Sequence, residues 1–577
     1  MTTAEWESLP EVAGGTGPLP VLRGYKGDVV GWPNIFPLGA CMKLTRRGFT
    51  KLCSGATLAE VALRGWPLGA EGNGVELTSK SLTEVSEMIH ARTVTSTQLV
   101  QASLDRINTI NPKVNAYVTV MGQQALAQAK VLDAEQKAGK FRGPLHGIPL
   151  ALKDNIDTAG TRTTAASPMF KDRVPTEDAD IVTRLKKNGA IILGKVNLHE
   201  FAIGCTGDVS YFGPARNPWA LDHVTGGSSS GSGAAVRADL CFGALGTDTG
   251  GSIRVPSAWC GIVGLKPTLG LVSIRGIIPC AIDLDHCGPM ARTVEDVALM
   301  LGQMTGYDPE DLYSVEVPET TTAPVDYVRA MKTTAIASLR IGTPASFFDH
   351  MEPEVEEAIK TALAVLSKMT KGVTSDAPLM EFSLVSGTLG DASAYHEDLI
   401  HKYGISYMAP DRTRFERMMN PPAGTKVASA ADDARARARL LSMRHTIDGV
   451  FKDFDVVVVP TVRNMPPKIN DSLAKESSGA EANKKIYDWF DGSSACSNTS
   501  PFDVYGIPAI TVPCGFSKSG MPIGMMIAAP HFKEGTVLAL AYAYQNATEW
   551  HKRTPVLTAE MVVPPIIEGK QPPDDKK

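Results

Sequence analysis

The chain has 577 residues, with 57 Lys and Arg against 62 Asp and Glu and a formal net charge of −5. That balance argues against a nucleic-acid binder, which carries a basic surplus, and no uninterrupted apolar run reaches the roughly 18 residues of a membrane-spanning helix. Hydrophobic content of 43% with 21% charged residues is that of a globular protein, long enough for several domains yet within the size at which α/β enzymes stay as one.

Residues 1–41 are rich in Gly and Pro and show no periodicity. Leu44-Thr45-Arg46-Arg47-Gly48-Phe49-Thr50-Lys51 resembles a twin-arginine export motif, and a moderately apolar stretch follows it. The expectation is an N-terminal leader over 1–71, cleaved after about Ala70, with translation starting at Met42 and 1–41 left untranslated. Export would make the protein periplasmic or secreted; a cytoplasmic location is the alternative.

From 75 to 135 the apolar residues Leu82, Val85, Met88 and Ile89, then Leu99, Ala102, Leu104 and Ile107, keep helical spacing. Asn111-Pro112 reads as a break between helices. From 143 to 310 apolar runs alternate with helical patterns, which argues a layered α/β fold. Strands are expected at Gly147 to Leu152, Ala190 to Gly194, Ile341 to Thr343 and Phe454 to Pro460. Helices are expected at Ala179 to Lys187, Val294 to Met304 and Ala430 to Arg444. Thr320 to Pro324 and the polar stretch Asn470 to Lys485 read as loops. Residues 563–577 read as a disordered tail.

The chemistry concentrates between Gly226 and Pro267. Two turns, Gly226-Gly227-Ser228 and Gly250-Gly251-Ser252, supply hydroxyls, and their glycines allow the backbone to aim successive N–H groups at one point. A serine nucleophile needs a base, and its oxyanion needs donors already in place. Eleven histidines are present, yet only His223 lies near either turn, where it reads as a loop residue. Lys153 ends the apolar run Gly147 to Leu152, and a buried lysine loses its charge readily. A flexible linker is the competing reading of the Ser-rich stretch, but apolar segments follow it directly.

These motifs resemble the amidase signature superfamily of serine hydrolases. The resemblance extends over Gly143 to Asn155, Gly194 to Ala202, Phe212 to Trp219, Ser500 to Asp503 and Gly506 to Gly515, roughly residues 80–555. It implies a single large domain with a central mixed β-sheet flanked by helices on both faces, spanning 72–562. It also implies Ser252 as nucleophile, Ser228 as bridging serine after a cis Gly227–Ser228 peptide, and Lys153 as general base. Thr249, Gly250 and Gly251 would form the oxyanion hole. Asp248 and Arg254 read as an ion pair holding the nucleophile turn, with Ser229, Ser230 and Ser232 as scaffold and Asp154 and Asn155 positioning the lysine strand. In the family, the region corresponding to 375–490 varies and shapes the substrate pocket; Tyr395, His396, Tyr403, Met408, Tyr487 and Trp489 are candidate wall residues.

No metal or cofactor is expected. His199-Glu200 lacks the second histidine of a zinc helix motif, His396 and His401 read as helix-surface residues, and the nine cysteines form no C-x-x-C pair. Cys241, Cys260, Cys280 and Cys287 read as buried thiols. The leading functional expectation is a stand-alone amidase cleaving small amides, with esters or carbamates also open, through an acyl-serine. Its partners would be a small-molecule substrate only, with no nucleic acid, no stable membrane insertion and homodimerisation left open. The alternative is the A subunit of a glutamyl-tRNA(Gln) or aspartyl-tRNA(Asn) amidotransferase, a glutaminase working inside a complex; Cys205-Thr206 departs from the Gly-Ser-Ser stretch expected of it. A non-catalytic binding protein on the same fold is the third reading.

Overall fold

A computed structural model describes residues 76–316, 325–375, 377, 390–420, 424, 429–477 and 495–567. The expected leader, Tyr487 and Trp489, and the loop 320–324 lie outside the described residues.

The strands are β1 Tyr117–Val120, β2 Pro149–Lys153, β3 Ile191–Val196, β4 Arg216–Asn217, β5 Ala220–Val224, β6 Gly243–Asp248, β7 Val263–Lys266, β8 His286–Ala291, β9 Arg340–Gly342, β10 Gly372–Thr374, β11 Val456–Pro460, β12 Ala509–Phe516 and β13 Pro522–Ala528. All but the β4–β5 hairpin join one 11-stranded sheet, in the order β1-β3-β2-β6-β8-β7-β12-β13-β11-β9-β10. The sheet is mixed. β3, β2 and β6 run parallel, as do β11, β9 and β10, and the remaining pairs are antiparallel. Helices cover both faces, as expected.

Alternation within the strands builds the two cores. Leu150 and Leu152 enter one hydrophobic cluster together with Leu245, whereas Ala151 and Ala244 enter the other. The small residues face helix Ser230–Arg237, whose Gly231 packs against the Asn197 and Ala116 backbone and whose Gly233 packs against helix Arg254–Cys260. A β-carbon at Gly231 would sit 2.3 Å from the Asn197 backbone nitrogen.

The helices at Asp180–Lys187, Val294–Met304 and Ala430–Thr446 stand where the apolar spacing puts them. Three local readings need correction. Helix Ser96–Val114 runs through Pro112 instead of breaking there, and Asn115 caps it in the left-handed conformation. Asn111 closes that end: its side chain accepts from the Tyr117 N–H at 2.7 Å and donates to the Tyr117 carbonyl at 3.1 Å. The polar stretch after Asn470 begins as a helix, Ile469–Ser477, seated by buried Ile469 and Leu473. Within the expected disordered tail, Pro565 and Ile567 both hydrogen-bond to Asn470.

Candidate active site

In open α/β sheets, sites form beyond the carboxyl ends of parallel strands. β2 and β6 are parallel neighbours, paired from Leu150↔Gly243 to Leu152↔Leu245. Their last residues are Lys153 and Asp248, so the candidate base and the nucleophile turn leave the sheet side by side. The Gly227–Ser228 peptide is cis, and Ser228 stands just ahead of helix Ser230–Arg237. Ser229 ties this segment to β6: its Oγ lies 3.2 Å from the Thr247 carbonyl, and its N–H donates to the Ser252 carbonyl at 3.2 Å. The two candidate serines are thus brought together by backbone contacts. Ser228 is fully buried and Ser252 is 6% exposed.

Lys153 is fully buried. Its Nζ lies 2.7 Å from Ser228 Oγ and 2.7 Å from Thr247 Oγ1. Burial pushes its amine down to about 7, with only weak opposing pulls from Cys280, Asp248 and Asp285. Two other buried lysines are also depressed by burial, Lys195 to about 8 and Lys266 to about 7. Lys195 donates to the Ile156 carbonyl and Thr163 Oγ1; Lys266 faces the Ile507 and Pro267 carbonyls and the His286 ring. Among the described residues, Lys153 alone of the three contacts a serine hydroxyl. Asn155 donates to Thr247 Oγ1 at 3.2 Å, which fixes the threonine beside the amine.

Asp248 organises the nucleophile turn. Its Oδ1 accepts the Gly251 N–H at 2.6 Å, and its Oδ2 accepts the Ile253 N–H at 3.0 Å. Arg254 donates to both oxygens at 2.9 Å, so the expected ion pair is present and fully buried. Burial pushes the Asp248 carboxyl up, but Arg254 more than offsets it and holds the group well below its ordinary value. The arginine also donates to Asp503 at 2.6 Å and to the Thr499 carbonyl at 2.8 Å. Thr499 and Ser500 direct their hydroxyls at the Gly250 carbonyl, at 2.6 and 2.9 Å. Thr249 Oγ1 donates to Asp285.

The Gly251 amide is therefore committed to Asp248. Among the described residues, the N–H groups of Thr249, Gly250 and Ser252 have no such acceptor. Gly251 has φ +138°, and a β-carbon there would stand 2.0 Å from Thr499 Oγ1. Gly251→Ala is expected to add strain of about 1–3 kcal/mol and to lower kcat/KM by about tenfold or more. Kinetics beside a thermal unfolding curve check this; unchanged kcat/KM would mean the turn does not hold reacting groups.

Other expected positions fall elsewhere. His223 lies in β5 and not in a loop, pairs with Asp222 at 2.7 Å and bridges to Lys468. His396 is not on a helix surface. It is buried, packs on Phe415 with centroids 4.3 Å apart, lies 2.8 Å from the Tyr407 hydroxyl, and is pushed down to about 3 by burial. Aromatic neighbours on other elements decide this, not the helix's own periodicity. His401 and Tyr403 are exposed, and Tyr395 and Met408 are half-buried. Ser232 donates to the Leu245 carbonyl at 2.9 Å, whereas Ser230 Oγ has no partner among the described residues. Cys241, Cys260, Cys280 and Cys287 are buried free thiols, as expected. No group of side chains able to hold a metal is found among the described residues.

Sequence pattern assigns no role to Thr247, Asp285, Thr499 or Asp503. Thr247 lies inside Gly246-Thr247-Asp248-Thr249, where it stands out only as a hydroxyl close to the nucleophile turn. A carboxylate in the apolar context of Phe502 and Val504 is the available signal for Asp503.

A family model described as "Amidase" matches residues 98–538. The chain is 36% identical over 504 residues to the A subunit of the glutamyl-tRNA(Gln) amidotransferase of Moorella thermoacetica, covering 84% of this chain and 99% of that one. It is 38% identical over 496 residues to the protein of the same name from Roseiflexus castenholzii, covering 82% and 97%. The structure of 6-aminohexanoate cyclic dimer hydrolase complexed with substrate superposes with a TM-score of 0.73 at 26% identity, over 83% of this chain and 99% of that one. The full-length match to amidotransferase subunits overturns the leading expectation of a stand-alone hydrolase of small amides, esters or carbamates. It equally overturns the expectation of a small-molecule substrate as sole partner, because those relatives are named as one component of a larger enzyme. A mixed sheet carrying a buried lysine against a cis-serine turn, matched by the family model over most of its length, marks this chain as a member of the amidase signature family, an enzyme acting on carbon–nitrogen bonds.

Proposed function

We propose that the chain is the A subunit of a glutamyl-tRNA(Gln) amidotransferase, the glutaminase that frees ammonia from the side-chain amide of glutamine. The observation that carries this reading is the identity of 36–38% along nearly the whole length of relatives bearing that name. Ser252 attacks the amide carbonyl and passes its proton through Ser228 to neutral Lys153. The N–H groups of Thr249 and Gly250, with that of Ser252, stabilise the oxyanion, while Gly251 shapes the turn. Lys153 returns the proton to the leaving ammonia through Ser228, and water then cleaves the acyl-serine by the reverse path. Protein partners are part of this reading, and so is the cytoplasmic location. The catalytic body spans 72–562. Cys205 replaces a serine of the expected Gly-Ser-Ser stretch.

The test is ammonia release from glutamine by the chain alone and with the other amidotransferase subunits of its own source. Release that rises on adding the partners is expected. Hydrolysis of aryl amides or carbamates that ignores the partners, with glutamine untouched, would overturn the reading.

The base must be neutral to accept a proton. Burial pushes its amine down to about 7, so turnover is expected to fall as pH drops below 7 and to level off above it. A profile flat from pH 8 to pH 5 would contradict Lys153 as base.

A further inference from the structure

Cys205 and Cys496 form a disulfide across 291 positions of sequence, with Cα atoms 6.2 Å apart. One end is bonded directly to the Ser228 turn, and the other reaches the Ser252 turn through Thr499 and Ser500. The Cys205 carbonyl accepts the Gly227 N–H at 2.7 Å, the amide just before the cis peptide. The fit there is backbone against backbone: a β-carbon at Gly227 would sit 2.6 Å from the Gly207 nitrogen and 3.0 Å from the Gly204 oxygen. The Cys496 carbonyl receives the Thr499 and Ser500 N–H groups at 3.1 and 2.9 Å. It also lies 3.1 and 2.8 Å from their hydroxyls, the same hydroxyls that hold the Gly250 carbonyl. One covalent bond therefore joins the support of Ser228 to the support of Ser252.

The two cysteines differ in exposure. Cys205 is half-buried, whereas Cys496 is 1% exposed. The free cysteines among the described residues are all buried.

We propose that Cys205–Cys496 is a redox modification site, a clamp that holds the two serine turns in register when oxidised and releases them when a cellular dithiol reduces it. This rests on the cytoplasmic amidotransferase reading in one respect: disulfides in that compartment are mostly transient or redox-sensing. A thiolate of the dithiol attacks Cys205 Sγ, the Sγ–Sγ bond breaks, and Cys496 leaves as a thiolate that takes a proton. The second thiol of the dithiol then attacks the mixed disulfide and releases Cys205, which is protonated in turn. Two electrons and two protons pass to the protein, and the dithiol becomes a cyclic disulfide. The loop at 204–207 then moves independently of the segment at 496–500. Shifts of about 1 Å between reacting groups cost up to about a hundredfold in rate.

The experiment follows covalent labelling of Ser252 by a fluorophosphonate probe, with the full chain oxidised, reduced by dithiothreitol, and reoxidised. It needs neither glutamine nor partner subunits, so failure of the amidotransferase reading leaves it intact. Peptide mapping first establishes the 205–496 bond in the oxidised sample. Labelling about tenfold slower or more after reduction, restored on reoxidation, is the expected result. The double variant Cys205→Ser, Cys496→Ser is expected to label slowly under either condition. Equal rates in the oxidised and reduced wild type would overturn the clamp, as would absence of the bond. So would a loss of far-ultraviolet helical signal on reduction, which would mean general unfolding. If the double variant does not fold, the wild-type rates together with that helical signal decide.

Discussion

Ser252→Ala is expected to reduce turnover by about four orders of magnitude or more while leaving the fold intact. The hydroxyl is the group the proposed chemistry consumes, and no other serine holds the same position at the end of the Asp248 turn. The fold has little reason to change. Ser252 contributes its backbone carbonyl to Ser229, and alanine keeps that carbonyl. Turnover measured beside an unfolding curve checks both halves. The relay adds a sharper requirement. In the proposed relay Ser252, Ser228 and Lys153 act as one unit, so adding Ser228→Ala or Lys153→Met to Ser252→Ala is expected to cost almost nothing more. Residual turnover within about tenfold of wild type would point to another nucleophile.

Arg254→Met is expected to destabilise the protein by about 3–5 kcal/mol. Arg254, Asp248 and Asp503 are all fully buried, and the guanidinium is the cation shared by both carboxylates. Methionine has a similar reach and no charge. It would leave Asp248 and Asp503 facing each other with only the buried Lys266 and His286 nearby, both of whose charged forms burial disfavours, and the Thr499 carbonyl without its donor. Removing one partner from a buried ion pair costs far more than replacing the whole pair by apolar groups. Arg254→Lys is not expected to rescue, because one ammonium cannot reproduce the fork that contacts two carboxylates and a carbonyl. Denaturant unfolding measures the loss. A change below about 1 kcal/mol would show that the carboxylates take up protons or water at little cost and that the triad does not secure the turn.

Much of the fold is legible because it is written in short-range pattern. The run to Lys153 is apolar at every position, which is how a strand buried on both faces reads. Val294–Met304 carries helical spacing behind Thr293, whose side chain caps it. The Gly-Ser turns are legible for a different reason: paired glycines directly before a serine free the backbone to aim successive N–H groups at one point. Here the resemblance to the amidase signature adds the order of roles, which composition alone does not contain.

Function is less legible than the site. The proposed roles of Lys153, Ser228 and Ser252 would serve an acyl-serine on any amide, so the residues themselves do not choose between a free-standing hydrolase and a component of an amidotransferase. The whole-length likeness to named subunits is what favours the second as the proposed reading. Helical spacing puts His396 on a surface because its burial comes from Phe201, Tyr407 and Phe415 on other elements, none of which its own periodicity reports.

The sequence by itself determined a layered α/β enzyme with a lysine at a strand end and a serine on a glycine turn, since each is a local consequence of residue type and spacing. Tertiary structure alone decided that Asp503 completes the Arg254 triad from 249 positions away and that Cys205 meets Cys496. It also decided that Thr247 stands beside the Lys153 amine. Those contacts arise from the pairing of β2 with β6 and from the chain's return at 496–503, and neither is recorded in the hydrophobic period of any one segment.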